Sequence, residues 1–183
     1  KDTLNTWLKY GLLEGIREDL MQFQYIQTYR NEDVEHLKEQ ISAAKRNNCS
    51  HFLTGSYTVS NGYFSTTSRL HETINGSVVQ ERVYEGNDLF SLIDSISLQT
   101  RKDLGVSENI INLFPDLPFQ EHTTRNFNAY KYYIFKEYGR ELSTGYSWIR
   151  IKALELDSTF ALASYMLART NHLSQVSKIS AKK

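Results

Sequence analysis

Two Asn-Gly pairs, at 61–62 and 75–76, constrain the fold of this chain more than any other feature of its 183 residues. Asn-Gly readily adopts the two positive φ angles of a tight hairpin turn, and each pair stands between runs rich in Thr, Val, Tyr and Phe. With each pair at the centre of a two-residue turn, Ser60 would oppose Tyr63 and Ile74 would oppose Ser77. The pattern therefore predicts three antiparallel strands, at His51–Ser60, Tyr63–Ile74 and Ser77–Tyr84.

This register sorts the strand residues onto the two faces of a meander. The apolar face would carry Leu53, Tyr57, Val59, Phe64, Leu70, Val79 and Val83. The polar face would carry Thr54, Ser56, Thr58, Ser65, Thr67, Arg69, Gln80 and Arg82. Because one face is apolar, helices must cover it. The sequence thus predicts an α+β fold, a two-layer α/β sandwich with an antiparallel meander sheet covered by helices.

Three helices are predicted in the same part of the chain. Apolar residues recur at three- and four-residue steps over Leu4–Phe23, the stripe of an amphipathic helix. Asn31 is predicted to cap the second helix and Asp88 to cap the third, which would end at Gly105. The short aromatic run Gln24–Tyr29 is predicted as a further strand.

Pro115 and Pro118 mark the clearest break in the chain. Polar residues follow them, and this composition is typical of a linker, which is predicted at 114–125. The α/β domain would then occupy 1–113. From 126 to 183 the sequence is typical of helices, and three are predicted, at Asn126–Leu142, Ser143–Asp157 and Ser158–Leu173.

The first part of the chain resembles a known family. The segments "GLLEGIREDL" at 11–20 and "FLTGSYTVSNGYFSTTSRLHETINGSVVQERVYEGNDLFSLIDSIS" at 52–97 resemble the TolB-like N-terminal or FlgO-like domain of bacteria. That resemblance implies an α/β module for assembly or sensing within a larger bacterial protein, on the cytoplasmic or the periplasmic side. The larger protein could carry a membrane anchor or a separate catalytic domain.

The last part resembles a tetratricopeptide repeat (TPR) array. The segment "KALELDSTFALASYMLA" at 152–168 is similar to the junction between two such repeats, and "NFNAYKYYIFKEYGREL" at 126–142 is similar to the helix that opens an array. Ser158 departs from the repeat, which favours Pro there, and Asn171 stands where Tyr is usual. The resemblance implies an incomplete, all-α TPR-like segment at 126–183.

Both resemblances imply protein or peptide partners. The TolB-like family begins with a hydrophobic strand that contains "LPF", and this chain starts after it. A sheet without that strand would have an open edge, so self-association through the edge is expected. The predicted function is therefore a non-catalytic interaction, scaffold or sensing module that takes part in protein assembly or signalling.

The composition argues against several other classes of function. Twenty-one basic and twenty-one acidic residues cancel, so no overall field draws the chain to nucleic acid. Cys49 is the single cysteine, which excludes an intrachain disulfide and a cysteine-based metal cluster. There is no run of about eighteen apolar residues, so no membrane contact is predicted. No catalytic, cofactor-binding or metal-binding residues stand at a recognisable spacing, and the chain is predicted not to be an enzyme.

One alternative is a small hydrolase or metal-dependent enzyme. The hairpin register would place His51 beside Glu72, with His71 next in sequence on the polar face near Arg69 and exposed. The same histidines could instead act as a pH switch. Glu81 would share the drier face with Leu70, at the rim of the sheet.

The aromatic residues of the predicted helix 126–142 have two interpretations. They suit buried packing at a domain junction, or they form a surface that binds peptides. The residues of that predicted interaction surface are Tyr130, Tyr133 and Tyr138.

Overall fold

The computed structural model describes residues 6–30, 34, 36–138 and 147–169. Its elements are α1 (Thr6–Met21), α2 (Leu37–Arg46), β1 (His51–Ser60), β2 (Tyr63–Glu72), β3 (Val78–Gly86), α3 (Leu89–Asp103), α4 (Glu108–Leu113), α5 (Phe119–His122), α6 (Phe127–Tyr138) and α7 (Ser147–Leu156). Residues 161–169 are also helical. One compact unit comprises the described residues of Lys1–Gly11 and Phe119–Lys183, and the other comprises Leu12–Pro118. The three-stranded antiparallel sheet, in the order β1-β2-β3, and the accompanying helices confirm the α+β class.

The β1–β2 hairpin has the predicted register. Ser60 pairs with Tyr63, and the ladder continues without a shift to the start of β1. Asn61 and Gly62 have φ angles of 52° and 77°, both in the left-handed region. A two-residue turn of this kind twists in the same sense as the strands that it joins, which is why Asn-Gly specifies it so well.

The loop of the β2–β3 hairpin differs from the prediction. Four residues, 73–76, form it instead of two. The Glu72 amide donates to the Ser77 carbonyl over 3.0 Å, and the Gly76 amide donates to the Glu72 carbonyl over 2.9 Å. Of the second Asn-Gly pair only the glycine has a positive φ, of 77°. The predicted pairing of Ile74 with Ser77 is therefore wrong.

The longer loop and a bulge beside Leu70 change which residues of β3 lie on each face. Leu70 pairs with Gln80, one residue away from its predicted neighbour Glu81. Because side chains alternate along a strand, a change of one residue exchanges the two faces of β3. Val83 lies on the polar face and is 60% exposed, and Glu81 lies opposite Arg69, with which it forms an ion pair.

Helices α2 and α3 cover the sheet: α3 packs against β2 and β3, and α2 packs against β1. Asp88 caps α3 as predicted, because its carboxylate accepts hydrogen bonds from the amides of Phe90 (3.3 Å) and Ser91 (3.2 Å). Gly105 follows the other end of α3 with a φ of 83°, and its amide donates to the Lys102 carbonyl over 2.9 Å. Both predicted ends of this helix are confirmed to within a residue or two.

An ion pair between Arg82 and Asp103 joins β3 to α3. The Nε and Nη2 atoms of Arg82 donate to the two carboxylate oxygens of Asp103 over 2.8 Å and 2.7 Å. Gln99 adds a third hydrogen bond to the carboxylate, of 2.9 Å. The hydrogen bonds from Arg82 are the main cause that lowers the pKa of Asp103. Arg82 was predicted on the polar face, and the change of register explains its place beside the helix.

Two other predictions differ from the structure, and a third falls outside the described residues. Residues 24–29, predicted as a strand, form a turn and irregular backbone. Asn31, the predicted cap of the second helix, lies outside the described residues. The segment 114–125, predicted as a linker, contains helix α5, and its residue Phe119 is fully buried.

The unit that contains α6 and α7 has a core of aromatic and small side chains. Helices α6 and α7 pack against each other. Asn126 caps α6, because its side-chain oxygen accepts from the amides of Asn128 (3.0 Å) and Ala129 (3.1 Å). The buried residues of this core include Trp7, Leu8, Phe119, Ala129, Tyr130, Tyr133, Ile134, Ala153, Phe160 and Ala163.

Candidate functional site

The proposed pair of His51 and Glu72 is close in register but is not joined. The two residues are directly opposite on β1 and β2, as predicted. His51 Nδ1 lies 3.0 Å from the hydroxyl of Ser50, and within the described residues no hydrogen bond or ion pair connects His51 with Glu72. His51 and Glu72 are therefore neighbours on adjacent strands, and among the described residues this pairing brings no third group of a catalytic site close to them.

His71 is buried, whereas the sequence predicted an exposed side chain. It is 6% exposed, and its ring stacks on Phe52 with a centroid distance of 4.7 Å. Nδ1 donates to the Gly76 carbonyl over 3.0 Å, so in the neutral ring Nε2 accepts from the Thr54 hydroxyl over 2.9 Å. The imidazole thus holds the four-residue loop against β1, and both ring nitrogens are occupied.

The predicted aromatic interaction surface is largely interior. Tyr130 and Tyr133 are 1% and 2% exposed, so neither contributes to a surface. The Tyr130 hydroxyl donates to the Gly11 carbonyl over 2.6 Å, and the Tyr133 ring lies 5.3 Å from that of Phe160. Of the two interpretations, buried packing and a peptide-binding surface, these two residues fit packing. Burial of a tyrosine is favourable when its hydroxyl has a partner. Tyr138 is the last residue of α6, and its side chain lies outside the described part of the structure.

The two outer strands of the sheet differ in how their edges are protected. Edge strands usually carry charges, prolines or bulges that discourage pairing with another chain. β3 has Glu81, Arg82 and Glu85 and a bulge near its start. β1 has ten residues, no Lys, Arg, Asp, Glu or Pro, and a ladder without shifts. The β1 edge is therefore the candidate interaction site that the geometry of the sheet supports best.

A second exposed feature of the same unit is an apolar patch beside α4. Tyr25 is 61% exposed, Leu117 is 55% exposed and Leu113 is 69% exposed. The ring of Tyr25 contacts that of Phe114 at a centroid distance of 5.7 Å. Gln22 fixes the backbone nearby, because its side-chain amide both donates to the Leu117 carbonyl (3.0 Å) and accepts from the Leu117 amide (3.1 Å). Exposed apolar groups on an ordered backbone are typical of protein contact surfaces.

A polar hollow of about 880 Å³ lies at the start of α6. One of its two acidic residues is Asp157, which accepts hydrogen bonds from the hydroxyl of Thr124 and from the amide (2.9 Å) and hydroxyl of Thr159. These bonds, first that from Thr124, lower the pKa of Asp157. The lining residues are Gln120, Glu121, Thr123, Thr124, Arg125, Asn126, Phe127, Asn128, Leu156, Asp157 and Thr159. The hydrogen bonds that line this hollow join α5, the cap of α6 and the turn after α7, so they stabilise the fold.

A buried ion cluster links α1, α3 and the loop before α5. Arg101 and Asp19 are each 1% exposed. The guanidinium of Arg101 donates to the Asp19 carbonyl (3.1 Å) and carboxylate (3.4 Å) and pairs with Asp116. Burial, and then the negative charges of Asp116 and Asp94, raise the pKa of Asp19 to about 6, against the opposing effect of Arg101. Sequence reasoning missed this cluster.

No protein-family model matches this sequence, and no curated protein matches it. Among the described residues, no group of three or more His, Cys, Asp and Glu side chains is placed to hold a metal ion. In the same residues, no helix is long and apolar enough to cross a membrane.

Proposed function

We propose that this chain is a non-catalytic protein-interaction module, a scaffold or sensing part of a larger bacterial protein. The edge of β1 carries this proposal, because none of its ten residues is Lys, Arg, Asp, Glu or Pro, the residues that discourage pairing with another chain. An exposed edge of this kind is where extended segments of other proteins add to a sheet. The likeness of 11–20 and 52–97 to the TolB-like and FlgO-like domain supports the same proposal.

The surroundings of the edge fit a binding role. On the polar face of the sheet, Ser56, Thr58 and Ser60 alternate as exposed side chains. On the helix-covered face, Tyr57 and Val59 are half-buried at the margin of the layer. A strand added beside β1 would pair with its backbone and contact these apolar side chains, so that both hydrogen bonds and apolar contacts would contribute to binding.

We further propose that 126–183 forms the start of a TPR-like array that binds protein or peptide partners. The packing of α6 on α7 and the burial of the small residues Ala153 and Ala163 support this, because small side chains let helices approach closely. Each such repeat buries its apolar face against the next one, which is how an array of this kind is stabilised.

Selection of a random peptide library against the purified chain tests the proposal. We expect enriched peptides to be extended and rich in β-branched residues, and to perturb amide NMR signals of β1 upon titration. The matched variants are Ser56→Lys on β1 and Val83→Lys on β3, which place the same charge on exposed positions of the two edges. Loss of peptide binding in Ser56→Lys but not in Val83→Lys would support the β1 edge as the binding site. Failure to enrich any peptide over the unselected library would contradict the function.

A further inference from the structure

The two Asn-Gly pairs share a chemical reactivity that their turns do not use. The side-chain amide of an asparagine can be attacked by the backbone nitrogen of the residue that follows it. Glycine in that position favours the attack, because it has no Cβ to hinder a close approach of the backbone. Asn61-Gly62 and Asn75-Gly76 have this sequence in common, so in an unfolded chain we expect them to react at similar rates. In the folded chain the surroundings of each pair decide its rate.

The reaction needs only water as a second reactant. The glycine nitrogen forms a bond to Cγ of the asparagine, the bond from Cγ to the side-chain nitrogen breaks, and ammonia leaves with the proton of the glycine amide. Water then opens the resulting succinimide ring. Opening at Cγ gives aspartate, and opening at the main-chain carbonyl gives isoaspartate, in which the main chain runs through Cβ and Cγ.

The Asn61–Gly62 peptide lies at the exposed tip of the β1–β2 hairpin. Both of its residues are exposed, and among the described residues no atom lies within 4 Å of a carbon added at Gly62. Ser60 and Tyr63, the residues on either side, make the hydrogen bonds that close a two-residue turn, so the Gly62 N–H takes no part in them. Both flanking residues are exposed as well. The peptide rotation that the attack requires therefore needs only a local opening at the end of the ladder.

The Asn75–Gly76 peptide is held by three hydrogen bonds. The Gly76 amide, whose nitrogen would have to attack, donates to the Glu72 carbonyl over 2.9 Å. The Gly76 carbonyl accepts from Nδ1 of His71 over 3.0 Å, and the side-chain oxygen of Asn75 accepts from the Ser77 amide over 2.8 Å. Gly76 is also buried. Ring closure in this loop must break several of these contacts together, which lowers the population of the reactive conformation.

We propose that Asn61 is a site of spontaneous deamidation, converted through a succinimide into aspartate and isoaspartate, and that the loop around Asn75 protects the second pair. Either product adds a carboxylate beside the end of β1, and isoaspartate also lengthens the main chain within a turn that fixes the register of Ser60 and Tyr63. This modification site does not depend on the proposed interaction function.

Incubation of the folded chain in mildly alkaline buffer, followed by tryptic peptide mapping with mass spectrometry, tests the proposal. Trypsin places Asn61 and Asn75 on separate peptides, 47–69 and 70–82, and electron-transfer fragmentation locates isoaspartate within each. We expect Asn61 to convert at least about tenfold faster than Asn75, because it needs the smaller local opening. In urea, where the fold no longer protects either pair, the two rates should agree to within about threefold.

Two variants test the two sites separately. Gly62→Ala should slow conversion of Asn61 at least about tenfold and leave Asn75 unchanged, because the added carbon hinders the approach of the nitrogen. His71→Phe keeps an aromatic ring against Phe52 but removes the hydrogen bond to the Gly76 carbonyl. It should speed conversion of Asn75 at least about threefold and leave Asn61 unchanged.

The same measurements can refute the inference. Equal rates at the two sites of the folded chain would overturn it, and so would an Asn61 that stays intact while the sample in urea converts. An unchanged rate at Asn61 in Gly62→Ala would exclude attack by the Gly62 nitrogen. An unchanged rate at Asn75 in His71→Phe would overturn the protection ascribed to the loop.

Discussion

Protonation of Asp19 is expected to make the stability of the sheet-containing unit depend on pH. Its carboxylate is buried between Arg101, which lowers its pKa, and the charges of Asp116 and Asp94, which raise it. Gln22 donates a further hydrogen bond to it over 3.0 Å. Burial and the two neighbouring carboxylates prevail, so the pKa rises from 3.8 to about 6 in the folded chain. The folded state therefore binds a proton at Asp19 more tightly than the unfolded state does.

The sign of the effect follows from linkage. A raised pKa means that the contribution of Asp19 to stability is fully present below about pH 3.8 and is lost as the pH rises through about 6. The difference between 3.8 and about 6 is worth about 3 kcal/mol over the whole range. Between pH 5 and pH 8 the same two values give a loss of about 1 kcal/mol, which urea unfolding can resolve.

The assay compares the unaltered chain with Asp19→Asn at both pH values. We expect the free energy of unfolding of the unaltered chain, relative to that of the variant, to be about 1 kcal/mol greater at pH 5 than at pH 8. Asp103→Asn is the control, because the pKa of Asp103 is lowered and its contribution is constant over this range. If the difference between the unaltered chain and Asp19→Asn is the same at both pH values, Asp19 has an ordinary pKa and the reasoning fails.

Four further substitutions test other contacts. Arg101→Met should lower the free energy of unfolding by about 3–5 kcal/mol, because it leaves two carboxylates without their cation. Gly62→Ala should cost about 1 kcal/mol, because φ is 77° and no atom lies within 4 Å of the added carbon. Gly76→Ala should cost more, since its added carbon would also lie 2.5 Å from Ile41 Cδ1. Tyr130→Phe removes a hydrogen bond to a helix carbonyl and should cost about 1 kcal/mol. Urea unfolding measures all four, and equal costs for the two glycines would contradict the steric argument.

The elements that the sequence predicted correctly are those set by local chemistry. The Asn61-Gly62 turn needs only the conformations of its own two residues, and Asp88 caps α3 through its own neighbours. Gly105 ends the same helix because it adopts a positive φ without a steric cost. In each case the residues that decide the structure lie within a few positions of one another, so a pattern in the sequence suffices.

The second hairpin shows where such reasoning stops. Asn75-Gly76 has the same local signal as the first pair, but here His71 bonds to the Gly76 carbonyl and to Thr54 of β1. These contacts, and the position of Ile41 beside Gly76, favour the four-residue loop over a two-residue turn. Partners on β1 and α2 are distant in sequence, and one residue of difference in the loop exchanges the faces of β3.

The buried ion cluster has a sequence signal of its own. Asp19 falls three residues after Ile16 and four before Phe23, on the apolar stripe of α1. Arg101 falls eight residues after Ile93, on the apolar stripe of α3. A charge on a buried stripe requires a partner. Helix α1 buries two carboxylates: Glu14 pairs with Arg17 of the same helix, and the buried Arg101 of α3 is the partner of opposite sign for Asp19. The periodicity therefore predicts the pair, but not Asp116, because a loop has no period from which its side-chain directions follow.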